Sequence, residues 1–341
     1  MPFQIIRNDI TKVKADIIVN TANPRPVFGS GTDSAVYAAA GAEALLAERE
    51  KIGDIAPGQA AVTPAFALPA KYIIHTVGPV WQDGLHGEKD ILRACYENVL
   101  ALAAEYKAKS IAFPLIATGV YGFPKDAALN IALSEIGRFL LTHEMNVILV
   151  VLGREAFALS EQLVGSIDAY LDEHQVRELE KAEYADDCVL EIFRRRQAAQ
   201  QPADICTPSF HSIGNSCDAR PLDVILSGAG DTFQQRLFRL IDQSGMDDVT
   251  VYKKANIDRK VFSRIRCKPD YQPTKKTAVA FAVALRLSLP EMQQLLACAG
   301  FALSPGDKSD LIISYCVQHG IYDIFEINAV LFQYGQPLLG A

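Results

Sequence analysis

Over residues 1–172 the apolar positions follow two alternating patterns. Short runs rich in β-branched residues, at Phe3–Ile6, Ile17–Val19, Ala61–Thr63, Tyr72–Thr76, Ile111–Pro114 and Val147–Leu152, read as buried strands. At residues 33–51, 89–107, 125–143 and 155–171 apolar residues recur three and four apart, the period of an amphipathic helix. Strands alternating with helices predict an α/β layer structure in which helices cover a mixed sheet. From His174 the chain turns charged, reaches Arg194-Arg195-Arg196 and continues through polar sequence (QAAQQPAD, TPSFHSIGNSCDARP), which predicts a charged helix running into a linker. Past Leu222 the pattern is helical throughout, with breaks at Gly245, Pro269, Pro273, Pro290, Gly300, Pro305 and Gly320. The boundaries so drawn are an α/β domain over 1–172, a helix and linker over 173–222, and an all-helical domain over 223–341.

Composition narrows this picture. A chain of 341 residues, 50% apolar and 21% charged, is an ordinary globular protein of about two domains. No run approaches the ~20 apolar residues that span a bilayer, and MPFQIIRND has no signal-peptide character, so a cytoplasmic protein without membrane contact is expected. The seven cysteines are scattered and include no Cys-x-x-Cys pair, which points to reduced thiols and to no metal site. The net charge of −7 is unevenly spread: 14 Lys and Arg face 19 Asp and Glu in 1–172, 6 face 9 in 173–222, and 13 face 12 in 223–341. An acidic first domain is a poor general binder of nucleic acid, whose affinity comes from basic groups on phosphates. The last third stays open to it.

Two loops carry the candidate chemistry. The first, Asn20-Thr21-Ala22-Asn23-Pro24-Arg25-Pro26-Val27-Phe28-Gly29-Ser30-Gly31-Thr32-Asp33, follows a strand and opens a helix. The second, Ala117-Thr118-Gly119-Val120-Tyr121-Gly122-Phe123-Pro124, does the same. Small residues ahead of a helix N-terminus let backbone N–H groups close around an anion. In an open α/β sheet both loops lie beyond the carboxyl ends of their strands, and two such loops on one edge suggest a diphosphate. Neither is a Walker motif or a dinucleotide fingerprint.

Five ordered segments resemble the macrodomain family, whose members bind ADP-ribose: Asn8-Asp9-Ile10-Thr11, Asn20 to Asn23, the glycine loop ending at Asp33, His75-Thr76-Val77-Gly78-Pro79, and Ala117 to Gly122. The resemblance covers about residues 1–172 and implies a three-layer α/β/α fold with a mixed sheet. It places Asp9 on the adenine amino group with Ile10 beside it. Gly29, Ser30, Gly31, Thr32, Thr118, Gly119, Val120 and Gly122 then hold the diphosphate and distal ribose, Tyr121 covers the ligand, and Asn20 braces or touches it. Hydrolytic members that cleave ADP-ribose from acidic side chains, or deacetylate O-acetyl-ADP-ribose, place an asparagine ten residues before an aspartate, as Asn23 and Asp33 stand here. Asn23 would hold ribose hydroxyls and Asp33 would position a water. Water is then the nucleophile and no cofactor or metal is required. This chain departs from those hydrolases at Phe28-Gly29-Ser30-Gly31, where they carry four glycines, and at Tyr37, where they carry histidine. A non-catalytic ADP-ribose sensor is the alternative, and a helix cap is the bland reading of Asp33. His75, inside an apolar strand, reads as a satisfied core histidine, and Trp81 with Asp83 to Lys89 as a surface excursion.

Residues 231–300 read as five short helices, with Val249–Ala255 and Asp258–Arg266 joined by a turn at Asn256-Ile257. The spacing resembles the lambda-repressor-like helix-turn-helix, and the pairing with a macrodomain resembles bacterial proteins. Residues 251–276 hold nine Lys and Arg against two acids. Arg259, Lys260, Arg264 and Arg266 are therefore candidates for contact with DNA, although the same fold also docks proteins. The apolar tail from Ser309 to Gly340 is expected to pack on the bundle or to dimerise.

Overall fold

The computed structural model describes residues 2–152, 159–174, 231–268 and 271–340. The expected linker, the arginine triplet and the start of the helix placed at 155–171 lie outside the described residues.

The first domain runs β1 (Phe3–Arg7), a 3-10 turn at Ile10–Lys12, β2 (Ile17–Thr21), α1 (Thr32–Ala40), α2 (Ala42–Ile52), β3 (Ala60–Pro64), β4 (Tyr72–Thr76), α3 (Glu88–Glu105), β5 (Ser110–Pro114), α4 (Lys125–Thr142), β6 (Asn146–Val151) and α5 (161–174). Its strands pair in the order β1-β6-β5-β2-β4-β3, all parallel except β3, which runs antiparallel to β4. Successive side chains of a strand face opposite ways. In β2, Ile17 and Val19 accordingly join a core with Leu92 of α3 and Ile136 of α4, while Ile18 joins one with Val36 of α1 and Leu45 of α2. The result is the expected three-layer sandwich. The helix expected over 33–51 is in fact two, because Gly41 between them takes φ +104, which few L-residues adopt.

The second domain contains α6 (Phe233–Ser244), α7 (Asp248–Lys254), α8 (Arg259–Cys267), α9 (Lys275–Ala284), α10 (Leu289–Cys298), α11 (Lys308–Gln318) and α12 (Ile324–Gln333). The two domains share one apolar cluster. The tail reaches past the bundle. Phe325 of α12 packs edge-on against Phe3 of β1 at 5.0 Å, and Gly137 of α4 leaves room for that ring, which a Cβ there would meet at 3.1 Å. Asn256, in the α7–α8 turn, accepts from the Phe3 N–H at 2.9 Å and donates to the Phe3 carbonyl at 3.0 Å. Among the described residues no helix is long and apolar enough to cross a membrane.

Candidate functional site

Because β2 and β5 are adjacent and parallel, their following loops meet at the carboxyl edge of the sheet. Between them lies a cavity of about 640 Å³, bounded on the far side by Val150 and Val151 at the end of β6 and by Leu152. That is the size range of nucleotide-sized ligand pockets. The first loop is stiffened by Pro24 and Pro26 and tied down by Ile55 N–H to the Pro24 carbonyl at 2.8 Å. It enters α1 at Gly31 with φ +62, and no side chain caps that helix. The first-turn N–H groups of α1 therefore lack intrahelical acceptors beside the cavity, where an anion would be favoured.

Asp33 is 3% exposed, and its carboxylate turns away from the helix it belongs to. Oδ1 accepts from Asn20 Nδ2 at 2.6 Å and Oδ2 accepts from Gly29 N–H at 2.7 Å. The cap reading of Asp33 is thus corrected: Gly31 is the N-cap of α1 and Asp33 serves the loop instead. Burial raises the carboxyl above its ordinary range, opposed by the Asn20 amide, the Gly29 N–H and the charge of Arg49. Asn23 lines the same cavity and donates to the Val27 carbonyl at 3.3 Å. Gly29 runs between these two side chains so closely that a Cβ would stand 2.5 Å from Asp33 Oδ2 and 2.9 Å from Asn23 Nδ2.

Behind Asp33 a polar chain crosses the sheet. Asn20 Nδ2 also contacts His75 Nδ1 at 3.1 Å, and His75 Nε2 pairs with Thr63 Oγ1 at 2.9 Å. Burial first, and Arg49 second, push His75 down to about 3, so it is neutral and structural, as its strand context predicts. Asn20 is fully buried with Oδ1 unpartnered, and it supports Asp33 without lining the cavity.

The second loop is closed by Gly122 N–H to the Gly119 carbonyl at 2.9 Å and Phe123 N–H to the Ala117 carbonyl at 3.1 Å. Ala117 takes φ +64, an uncommon conformation for a residue with a side chain. Trp81 corrects the surface reading: it is half-buried, packs on Phe123 at 4.7 Å and donates its main-chain N–H to the Tyr121 carbonyl at 2.8 Å, so it braces this loop. Lys125, at the start of α4, brings a cation to the cavity wall.

The expected contacts Asn23, Gly29, Ser30, Gly31, Thr32, Asp33, Thr118, Gly119, Val120 and Tyr121 all line the one cavity, whereas Asp9, Ile10, Asn20 and Gly122 do not. Asp9 caps the 3-10 turn, accepting from Thr11 N–H at 3.0 Å and from Thr11 Oγ1 at 2.7 Å, which lowers its carboxyl pKa. It follows Asn8, whose N–H meets the Val151 carbonyl at the cavity's far wall. Lys125 and Arg49 were not singled out in the sequence. The position of Lys125 directly after Pro124, in a helix's first turn beside a candidate loop, was the available signal for it. Asp83, His86 and Glu88 bring ligand atoms within 4.8 Å of one another, but Glu88 accepts from the N–H groups of Gln82, Asp83, Gly84 and His86, and His86 pairs with Asp83. Those groups are spent on the loop.

In the helical domain Arg266 forms an ion pair with Asp248 and lies over the Phe238 ring at 5.4 Å, and Arg264 donates to the Lys260 carbonyl at 3.4 Å. Arg259 and Lys260 instead face a groove of about 590 Å³ shared with Lys109, Lys253 and residues 143–146 of the first domain.

Residues 19–132 match the family model described as Macro domain. A macro domain-containing protein of Methanosarcina mazei is 49% identical over 142 residues, 42% of this chain and 75% of that protein. A Cronobacter sakazakii protein named O-acetyl-ADP-ribose deacetylase is 42% identical over 170 residues, 48% of this chain and 94% of its own length. The solved Oceanobacillus iheyensis macrodomain with MES bound matches at 37% identity and a TM-score of 0.43, over 45% of this chain and 84% of that one.

Proposed function

Since the chain belongs to the macro domain family, we propose that its first domain binds ADP-ribose in the cavity between the two loops and hydrolyses ADP-ribosyl esters there. The observation that carries this reading is the Asp33 carboxylate, buried at the cavity wall, held by Asn20 and Gly29, and set beside Asn23. The first-turn N–H groups of α1, the second loop and Lys125 supply the positive potential a diphosphate needs. Asn23 binds the distal ribose hydroxyls, and the ionised Asp33 orients and deprotonates a water. The water adds to the ester and the ester C–O bond breaks. Its two fragments are a carboxylic acid and ADP-ribose with a free hydroxyl. In this reading Asp9 and Ile10 take the adenine end, beyond Val151. The relatives named O-acetyl-ADP-ribose deacetylase support this class of substrate.

Ester hydrolysis tests the reading directly. Release of ADP-ribose from glutamate-linked protein and of acetate from O-acetyl-ADP-ribose is measured for the natural chain and for Asp33→Ala, with calorimetry of ADP-ribose binding by both. The expected result is a loss of about 10²-fold or more in kcat for the variant while binding persists. An intact binder that releases neither product would replace the hydrolase with a non-catalytic ADP-ribose sensor. The helical domain in turn is read as a lambda-repressor-like helix-turn-helix module that contacts DNA or a protein partner, with Arg259 and Lys260 as its open cations.

A further inference from the structure

We propose that Arg49 is a positioning residue of this site: a buried guanidinium that pins the Asn23 loop by its main-chain carbonyl and is the counter-charge against which Asp33 is held. The inference rests on Asp33 being the working carboxylate. In sequence Arg49 belongs to the charged run Glu48-Arg49-Glu50-Lys51 at the end of α2, and Glu50 and Lys51 are exposed as such a run leads one to expect. Arg49 itself is 0% exposed. Its Nη1 donates to the Gly53 carbonyl at 2.9 Å and its Nη2 reaches the Asn23 carbonyl at 3.4 Å, while Nε has no partner.

A charge is buried only where something compensates it. Among the described residues Arg49 makes no ion pair at contact distance. The loop that Arg49 holds at the Asn23 carbonyl folds over Asp33: the position of a Gly29 Cβ would lie 2.5 Å from Asp33 Oδ2 and 2.9 Å from Asn23 Nδ2, and the Arg49 charge opposes the effect of burial on the Asp33 carboxyl. The other titratable groups around Asp33 are neutral His75 beyond Asn20, Tyr37 of its own helix, and Tyr121 from the second loop; Lys125 shares the open cavity. Arg49 is therefore the enclosed cation that favours the ionised form of Asp33. By holding the Asn23 carbonyl it also sets where the Asn23 side chain enters the cavity. A guanidinium does both through its rigid fork, where an ammonium is only a point charge.

The test compares the full chain with Arg49→Met and Arg49→Lys. Titration of the Asp33 carboxyl is followed by carbon NMR in the free protein, and the pH profile of ester hydrolysis is recorded beside it. In Arg49→Met the Asp33 titration and the acid limb of kcat/KM are expected to move to higher pH by about one unit. Arg49→Lys is expected to bring both back toward the natural values yet keep KM raised about tenfold, because its single ammonium does not restore the fork to the Asn23 and Gly53 carbonyls. An Asp33 titration that stays put in folded, ADP-ribose-binding Arg49→Met overturns the counter-charge role. If that variant does not fold, Arg49→Gln, which can still donate to a carbonyl but carries no charge, replaces it in the titration, and a natural KM in Arg49→Lys overturns the hold on the Asn23 loop. The NMR arm gives its answer even if the natural chain hydrolyses no ester, so failure of this inference is distinct from failure of the hydrolase reading.

Discussion

Asp33 occupies the first turn of α1, where an aspartate ordinarily caps, yet both its oxygens accept from outside the helix, from Asn20 and Gly29. The tilt of its titration has a sign that can be checked. A carboxyl raised in the folded state contributes stability below its unfolded value of 3.8, and that contribution is lost as pH rises through the folded value. Above that folded value the ionised, buried Asp33 therefore costs stability. Asp33→Asn removes this cost, and the chain behind it can adjust: Asn20 turns its unpartnered Oδ1 toward the new amide, His75 changes tautomer, and Thr63 donates where it accepted. We expect a higher Tm than the natural chain at pH 7, an advantage that shrinks toward pH 4, and loss of hydrolysis. A Tm below the natural one at pH 7 would refute it. The small residues between Asn23 and Asp33 were legible because a loop opening a helix is a local pattern, while the spacing of the two side chains took its meaning from the macrodomain resemblance. Arg49 was not, since nothing in Glu48-Arg49-Glu50-Lys51 distinguishes the one side chain that turns inward.

Among elements, the strands stand within a residue or two of their sequence positions, because each is an apolar run closed by a polar break. The split of α1 from α2 escaped because Gly41 sits in a continuous helical period and acts only through its φ of +104. The α7–α8 turn has a second use. Asn256 takes φ +53, which asparagine tolerates better than most residues, and from there its amide pairs with both polar groups of Phe3 on edge strand β1. A side chain thus continues the ladder and closes an edge open to aggregation. Asn256→Ala leaves a buried N–H and a buried carbonyl unpaired and strains the turn. A loss of about 2–4 kcal/mol is expected in urea unfolding, together with faster hydrogen exchange at the Phe3 amide. An unchanged exchange rate there would show that the clamp does not hold the domains together.

At the scale of the molecule the two candidate surfaces lie at opposite ends of the sheet. The cavity opens beyond the ends of β2, β5 and β6, and the basic groove lies where β1, β5 and β6 begin, at Pro2, Lys109 and Asn146. A ligand in one leaves the other open. Residues 143–146 of the first domain share the groove with Arg259 and Lys260, which disfavours insertion of α8 into a duplex major groove. If these cations hold phosphates, binding of a labelled oligonucleotide will weaken with salt, and Arg259→Ala with Lys260→Ala will lower the log–log slope by about 2 without changing ADP-ribose affinity. A slope the double variant leaves intact would return the surface to a protein-docking role. The sequence by itself determined the alternation of strands with helices and the two loops, because hydrophobic period and glycine placement act over a few residues, whereas the pairing of Asn23 with Asp33 rested on the resemblance to the macrodomain family. Only the tertiary structure decided that Arg49 is buried beneath the loop, that Arg266 is spent on Asp248 and Phe238, and that a turn of the helical domain closes the sheet's edge. Those outcomes depend on which distant side chains desolvate one another, and no local pattern records that.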